Sequence, residues 1–176
     1  MVTASQRGLS LIELLVGLII LSVLTSLAAP SFSRMLTEQR LRQASNELRI
    51  SMVTARAEAI KRGETVVVLP RAQNWEQGWC VAPGAATTSC GADPIQEFVS
   101  SNANTVAVTL DGAIRFNAWG RASGCPQLAL SAQAAGGHCQ ICLSVTTDGR
   151  VVTEAGTCGG TCPDSSNDLA WTGGCQ

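Results

Sequence analysis

Residues 9–29, LSLIELLVGLIILSVLTSLAA, form a 21-residue apolar run with a single charge, Glu13, and this run constrains the chain more than any other feature. As an α-helix it measures about 31 Å, the thickness of a bilayer's hydrocarbon, so it can cross a membrane. Only MVTASQRG precedes it, with Arg7 as the sole charged side chain. The positive-inside tendency then predicts a cytoplasmic N-terminus, with everything after the run on the far side of the membrane. A secretory signal peptide and a plain membrane anchor are the two simplest readings of such a segment. Neither has a use for Glu13. An ionised carboxylate costs on the order of 2.5–3.5 kcal/mol at the bilayer centre and less near the interface, so a charge retained there marks a partner.

After this run, 176 residues leave room for one modest globular domain, not two. Residues 31–62 turn charged without a break, with Leu41, Ala44, Leu48, Met52, Ala55 and Ala59 spaced by three and four along one helical stripe. The stripe is read as packing against the head in preference to a partner-binding groove. Glu38–Arg42 and Glu58–Arg62 are acid-to-base pairs four apart, and Gly63 is the expected stop. Beyond Gly63 the periodicity changes to that of strands, predicted over 64–69, 79–82, 105–110, 113–117 and 141–147. Asp111-Gly112 predicts a hairpin between the third and fourth of these, and Asp148-Gly149 predicts another into 150–154. The fold class is therefore α+β: a long N-terminal helix followed by a β-rich head.

All eight cysteines lie in that head: Cys80, Cys90, Cys125, Cys139, Cys142, Cys158, Cys162 and Cys175. A small core poor in aromatics gains from covalent staples, so disulfides and an oxidising compartment are the economical reading. Eight cysteines allow 105 pairings. Cys80 with Cys90 and Cys125 with Cys139 each flank a short loop and are the two local bridges predicted. A four-cysteine zinc pattern, Cys139-x2-Cys142 with Cys158-x3-Cys162, competes, but one residue too many separates the second pair. A regular strand through Ile141 also points Cys139 and Cys142 to opposite faces. The net charge of -1, with an acidic balance after Glu64, gives no global sign of nucleic-acid binding. His138 is the only histidine and no nucleophile or paired carboxylates accompany it, so it is read as an exposed loop residue and no enzymatic activity, cofactor or metal is expected.

Gly8, Leu9 and Glu13 in RGLSLIELL resemble the class III signal of type IV pilins and type II secretion pseudopilins. That resemblance implies cleavage after Gly8 by a prepilin peptidase and N-methylation of Leu9, although the family usually carries Phe at this place. It also implies that Glu13 neutralises the new N-terminal amine of a neighbouring subunit, which accounts for a charge among apolar surroundings. Pro30 falls where such proteins often bend the helix, and a proline inside a helix favours a kink in any case. NWEQGWCV at 74–81, AIRFNAWG at 113–120 and LSVTTDGRV at 143–151 resemble H-type pseudopilins and FimT/FimU minor pilins. The resemblance divides the chain into a leader (1–8), a transmembrane and assembly helix (9–30), an amphipathic periplasmic helix (31–63), a β-rich head (64–152) and a Cys-rich tail (153–176). It implies a filament subunit in the inner membrane whose partners are other pilins or pseudopilins, the assembly platform and the peptidase. The alternatives are a plain anchored periplasmic domain and DNA capture. Some FimT-like proteins bind DNA through Gly-Arg-x-Arg, of which this chain keeps Gly149 and Arg150 but has Val152 in the last place. Calcium at Asp164 and Asp168 is a further option, set below a solvated turn because the ligand spacing of a known calcium loop is absent.

Overall fold

Ser10 opens the first element with an extended backbone, and its Oγ accepts the Glu13 N–H at 3.2 Å, satisfying one of the first turn's orphan donors. A single 52-residue helix, α1 (Leu11–Arg62), follows and ends at Gly63, whose φ of +66° lets its N–H reach the Ala59 carbonyl. The helix continues past Pro30, so the proline does not divide it in two. The computed structural model describes residues 10–159 except 92, 101–106, 111, 135, 136 and 157.

The two halves of α1 have opposite surroundings. Leu11, Ile12, Leu14, Leu18, Ile19 and Leu24 each expose more than half of their surface, and they point in all directions around the axis. Among the described residues no helix is long and apolar enough to cross a membrane; the fully described apolar stretch, 11–26, is about 24 Å long. From Thr37 onward one face is buried. Leu41, Leu48, Met52, Ala55 and Ala59 sit in the main core, as the stripe predicts, and the Glu38–Arg42 and Glu58–Arg62 pairs form at 2.6 and 2.7 Å.

The head consists of two four-stranded antiparallel sheets, both packed on α1. β1 (Val66–Arg71), β2 (Asn74–Pro83), β3 (Gln96–Val99) and β5 (Ile114–Phe116) make the first, in the order β3-β2-β1-β5. β4 (Ala107–Thr109), β6 (Gln127–Ala134), β7 (Gly137–Val145) and β8 (Val151–Ala155) make the second, in the order β4-β6-β7-β8. Strand alternation sorts the residues. Val66, Val68, Val81, Ile114 and Phe116 face the helix, while Val67, Leu69, Cys80 and Ala82 face outward, beneath the loop that Cys80–Cys90 staples down. Burial on both faces explains why β1 begins as an unbroken VVVL. Trp79 ties the layers together: its indole stacks on Phe98 at 4.2 Å and its Nε1 donates to the buried Ser51 Oγ at 2.8 Å.

Several expectations are corrected. Asp111-Gly112 does not join a hairpin, because β4 pairs with β6 in one sheet and β5 with β1 in the other; the chain changes sheets there, and Asp111 itself lies outside the described residues. The β1–β2 turn has no such sequence marker. It is a two-residue loop, Ala72-Gln73, with both φ angles positive at 48° and 61°. Strands β3 and β6 were not predicted at all. His138 is exposed but lies in β7, opposite Gln133, and not in a loop.

Candidate functional site

Two regions carry the candidate functional residues. At the N-terminal end, Gly8 and Leu9 lie outside the described residues, and Glu13 is the third residue of α1. A carboxylate there faces the positive end of the helix dipole, an interaction worth about 0.3–1 kcal/mol on an exposed helix. Ser10-x-x-Glu13 has the spacing of a capping box.

The second region is built around Arg150. The β7–β8 hairpin turns through Thr146–Arg150, closed by Gly149 N–H to Thr146 O at 2.8 Å and Thr146 N–H to Arg150 O at 2.9 Å, with Gly149 at φ +82°. This is the hairpin that Asp148-Gly149 predicts. The Thr146 hydroxyl also donates to the Asp148 carboxylate. That bond, with the charges of Arg150 and Arg56, holds the Asp148 carboxyl below its usual range against a smaller opposing effect of burial. The turn lies against α1 and against a second turn, Asn117–Arg121, so closely that a Cβ on Gly149 would stand 2.0 Å from the Gly120 carbonyl oxygen. In the second turn, Asn117 Oδ1 accepts the N–H groups of both Trp119 and Arg121 at 3.0 Å, which holds Trp119 out with 80 % of its surface exposed.

An open groove runs between this hairpin and α1, lined by Arg49, Val53, Arg56, Gly149, Arg150 and Val151. Three guanidinium groups therefore border one groove, where the sequence offered a single arginine. Arg56 Nε is buried there with no hydrogen-bond partner. Arg49 and Arg56 escaped the sequence reading because they lie on the helix, far from Arg150 along the chain. Their spacing of seven, which places both on one side of a helix, was the available signal.

The cysteines among the described residues are oxidised. Cys80–Cys90 forms as predicted, and Cys142 bonds Cys158, with Cα separations of 5.8 and 5.1 Å. The second bond removes two thiolates from the zinc pattern, and Cys139 and Cys142 do face opposite sides of β7. Cys125 and Cys139 are both disulfide-bonded, but not to each other. Cys139 stands opposite Ala132, whereas Cys125 precedes Gln127, which stands opposite Ser144. The five positions between those registers span roughly 16 Å along the strand, too far for a bridge that needs Cα atoms within about 7 Å. Cys162, Cys175, Asp164 and Asp168 lie outside the described residues. Among the described residues no group of three or more His, Cys, Asp or Glu side chains is placed to hold a metal.

A single long helix laid along antiparallel sheets, with disulfide staples and a free apolar N-terminal half, defines a pilin-like protein. The chain belongs to the family described as type II transport protein GspH, which matches residues 44–153, 110 of its 176 residues. Residues 3–29 match the prokaryotic N-terminal methylation motif. Among solved structures it is similar to the type IV minor pilin FimU of Pseudomonas aeruginosa strain PAO1 in two crystal forms. One shares 20% identity at a TM-score of 0.53, covering 64% of this chain and 87% of FimU. The other shares 18% at 0.51, covering 64% and 90%. No curated protein matches the sequence at a significant level.

Proposed function

We propose that this chain is a minor pilin or pseudopilin: cut after Gly8, methylated on Leu9, held in the inner membrane by residues 9–29, and built into a filament with its head in the periplasm. The observation that carries this reading is the all-round exposure of the apolar residues in the first half of α1. Each buried Leu, Ile or Val gains roughly 1.5–3 kcal/mol over its exposed state, so a helix with this many exposed must be covered by lipid or by other helices. The N-terminal methylation motif on the same segment supports both coverings in succession, first the membrane and then the filament. The subunit has no chemistry of its own; its partners are other pilins or pseudopilins, the prepilin peptidase and the assembly platform.

Glu13→Ala tests the assembly role. Membrane insertion is expected to persist, because the change makes the run more apolar, and incorporation into filaments is expected to fall to background by immunoblot of sheared filaments. Normal incorporation of the variant removes Glu13 from the mechanism. Cross-linking mass spectrometry on native membranes identifies the machine by its partners, secretion pseudopilins or pilins.

DNA capture is the second reading, and the groove of Arg49, Arg56 and Arg150 supplies cations that the shortened Gly-Arg-x-Arg segment lacks. Against it stands the acidic balance of the rest of the head. A salt titration of the detergent-solubilised chain with labelled DNA decides the point. Sub-micromolar binding at physiological salt favours DNA capture, and its absence favours the structural role.

A further inference from the structure

Among the described residues β8 is an edge strand, and the hydrogen bonds around it fix which of its backbone groups look away from β7. Gly156 N–H donates to the Gln140 carbonyl and Thr146 N–H to the Arg150 carbonyl, so 140 with 156 and 146 with 150 are bonded pairs. In an antiparallel ladder bonded and non-bonded pairs alternate, which makes Val145–Val151, Leu143–Thr153 and Ile141–Ala155 the non-bonded ones. The N–H and C=O groups of Val151, Thr153 and Ala155 therefore point outward from the sheet. Among the described residues no backbone group pairs with them. The other edges are shorter or covered. β4 and β5 have three residues each, and the chain returns along β5, where Ser123 N–H donates to the Arg115 carbonyl and Ala122 bridges to Phe116. β3 has four residues and carries Glu97, ion-paired with Arg71. β8 runs for five residues without proline, lysine or a bulge, the devices that ordinarily protect an edge. Its one charge, Glu154, stands opposite Cys142, on the face away from the main core.

This open edge adjoins the arginine groove. Val151 belongs to both, and the residues opposite Val151 and Thr153 in β7, Val145 and Leu143, lie in the main core on the side of α1. A strand added beyond β8 turns its own residues opposite Val151 and Thr153 to that same side. The groove there is bordered by Arg49 and Arg56, neither of which has a carboxylate within ion-pair distance among the described residues. Arg56 Nε is buried without an acceptor, and a buried donor left in that state is a cost that an incoming acceptor removes. An extended chain with Asp or Glu at alternate positions answers both needs: its backbone satisfies the edge and its carboxylates meet the guanidinium groups. A nucleic acid offers phosphates to the arginines but no row of N–H and C=O groups to the edge, so the edge selects a peptide.

We propose that β8 is a strand-addition site, at which an extended acidic segment of another protein pairs with the open edge and sets alternate carboxylates against Arg49 and Arg56. Main-chain bonds supply the affinity of such a site, and the side chains that reach the groove supply its selectivity. The inference goes beyond the filament role and does not depend on it.

The test uses the full-length, detergent-solubilised chain and a fluorescent, end-blocked peptide of alternating Glu and Thr, with alternating Lys and Thr as its counterpart, and reads binding by anisotropy. Thr153→Pro is the discriminating variant. The N–H it removes points away from β7, so the ladder to β7 and the melting temperature are retained. Arg49→Glu, at an exposed position, tests the groove independently of the strand. The expected result is binding of the Glu peptide, none of the Lys peptide, and a loss of affinity of about tenfold in each variant. No binding of the Glu peptide at concentrations up to about 1 mM, equal binding of the Lys peptide, or full affinity in Thr153→Pro or in Arg49→Glu overturns the proposal. Two of the overturning results name another occupant. Labelled duplex DNA bound equally by the parent chain and by Thr153→Pro, with no peptide bound, assigns the groove to nucleic acid. A dimer in sedimentation that Thr153→Pro converts to monomer assigns the edge to a second copy.

Discussion

Gly149 and Gly63 offer a controlled comparison of backbone strain with steric collision. Both have positive φ, at 82° and 66°, so alanine at either place meets the left-handed penalty of roughly 1–2 kcal/mol. The surroundings differ. A Cβ at Gly63 meets nothing within 4 Å, while at Gly149 it would stand 2.0 Å from the Gly120 carbonyl oxygen and 3.1 Å from Arg56 Nε. A real Cβ–O contact lies near 3.4 Å, so the hairpin tip must move by more than 1 Å. That shift strains the Gly149–Thr146 and Thr146–Arg150 bonds, each worth about 1 kcal/mol net. We expect Gly63→Ala to lose about 1 kcal/mol and Gly149→Ala about 3–4 kcal/mol. At roughly 2–4 °C per kcal/mol for a chain of this size, the second variant should melt some 4–12 °C below the first. Tryptophan fluorescence during thermal unfolding of the oxidised, detergent-solubilised chain reads the difference, using the chain's 4 tryptophans. Equal melting temperatures would refute the packing of the two turns.

Ser51→Ala leaves the Trp79 indole N–H buried without its acceptor and should destabilise by about 1–3 kcal/mol, whereas Ser22→Ala, on an exposed turn, should not; urea unfolding distinguishes them. Replacing either Cys80 and Cys90 or Cys142 and Cys158 by alanine should lower stability by about 3 kcal/mol, with the larger loop slightly costlier, as read by denaturant midpoints with and without reductant. Arg62 and Lys61 hold the Glu58 carboxyl below its usual range, as the Thr146 hydroxyl does for Asp148. Both groups bind protons more weakly in the fold than in the unfolded chain. Their stabilisation is therefore complete above the unfolded values and is lost as pH falls through the folded ones. Glu58→Gln with Asp148→Asn should flatten the fall in melting temperature between about pH 5 and about pH 2, and an unchanged slope would assign acid sensitivity to other groups.

The parts of this structure that were legible in the sequence are those fixed by neighbours in the chain. The three-and-four spacing from Leu41 to Ala59, the stop at Gly63, the hairpin at Asp148-Gly149 and the short Cys80–Cys90 loop are of this kind. What the reading missed depends on distant partners. Asp111-Gly112 is the same dipeptide as Asp148-Gly149, yet its flanking strands find better partners in opposite sheets, and local sequence cannot register that competition. The Ala72-Gln73 turn carries no glycine or asparagine because the pairing of β1 with β2 imposes a conformation that the two residues do not prefer. Cys142 and Cys158 are brought together by the pairing of β7 with β8, and the arginine groove exists only where α1 lies beside the β7–β8 hairpin.

The direct passage from Gly63 into β1 at Val66, with both sheets seated on α1, makes the helix an axle as well as an anchor. The head cannot swivel independently of it. Along an α-helix each residue advances about 1.5 Å and turns about 100°. The compass bearing of Trp119 and the groove relative to Glu13 is therefore written in the number of residues between Glu13 and Thr37, where burial begins. Inserting one residue in that stretch leaves every contact of the head intact and lifts it by less than a water molecule's width, yet swings it by more than a quarter turn. Inserting four restores the bearing to within about 40°. A segment of low sequence complexity is thus an angular ruler, tolerant of substitution and intolerant of a change in length.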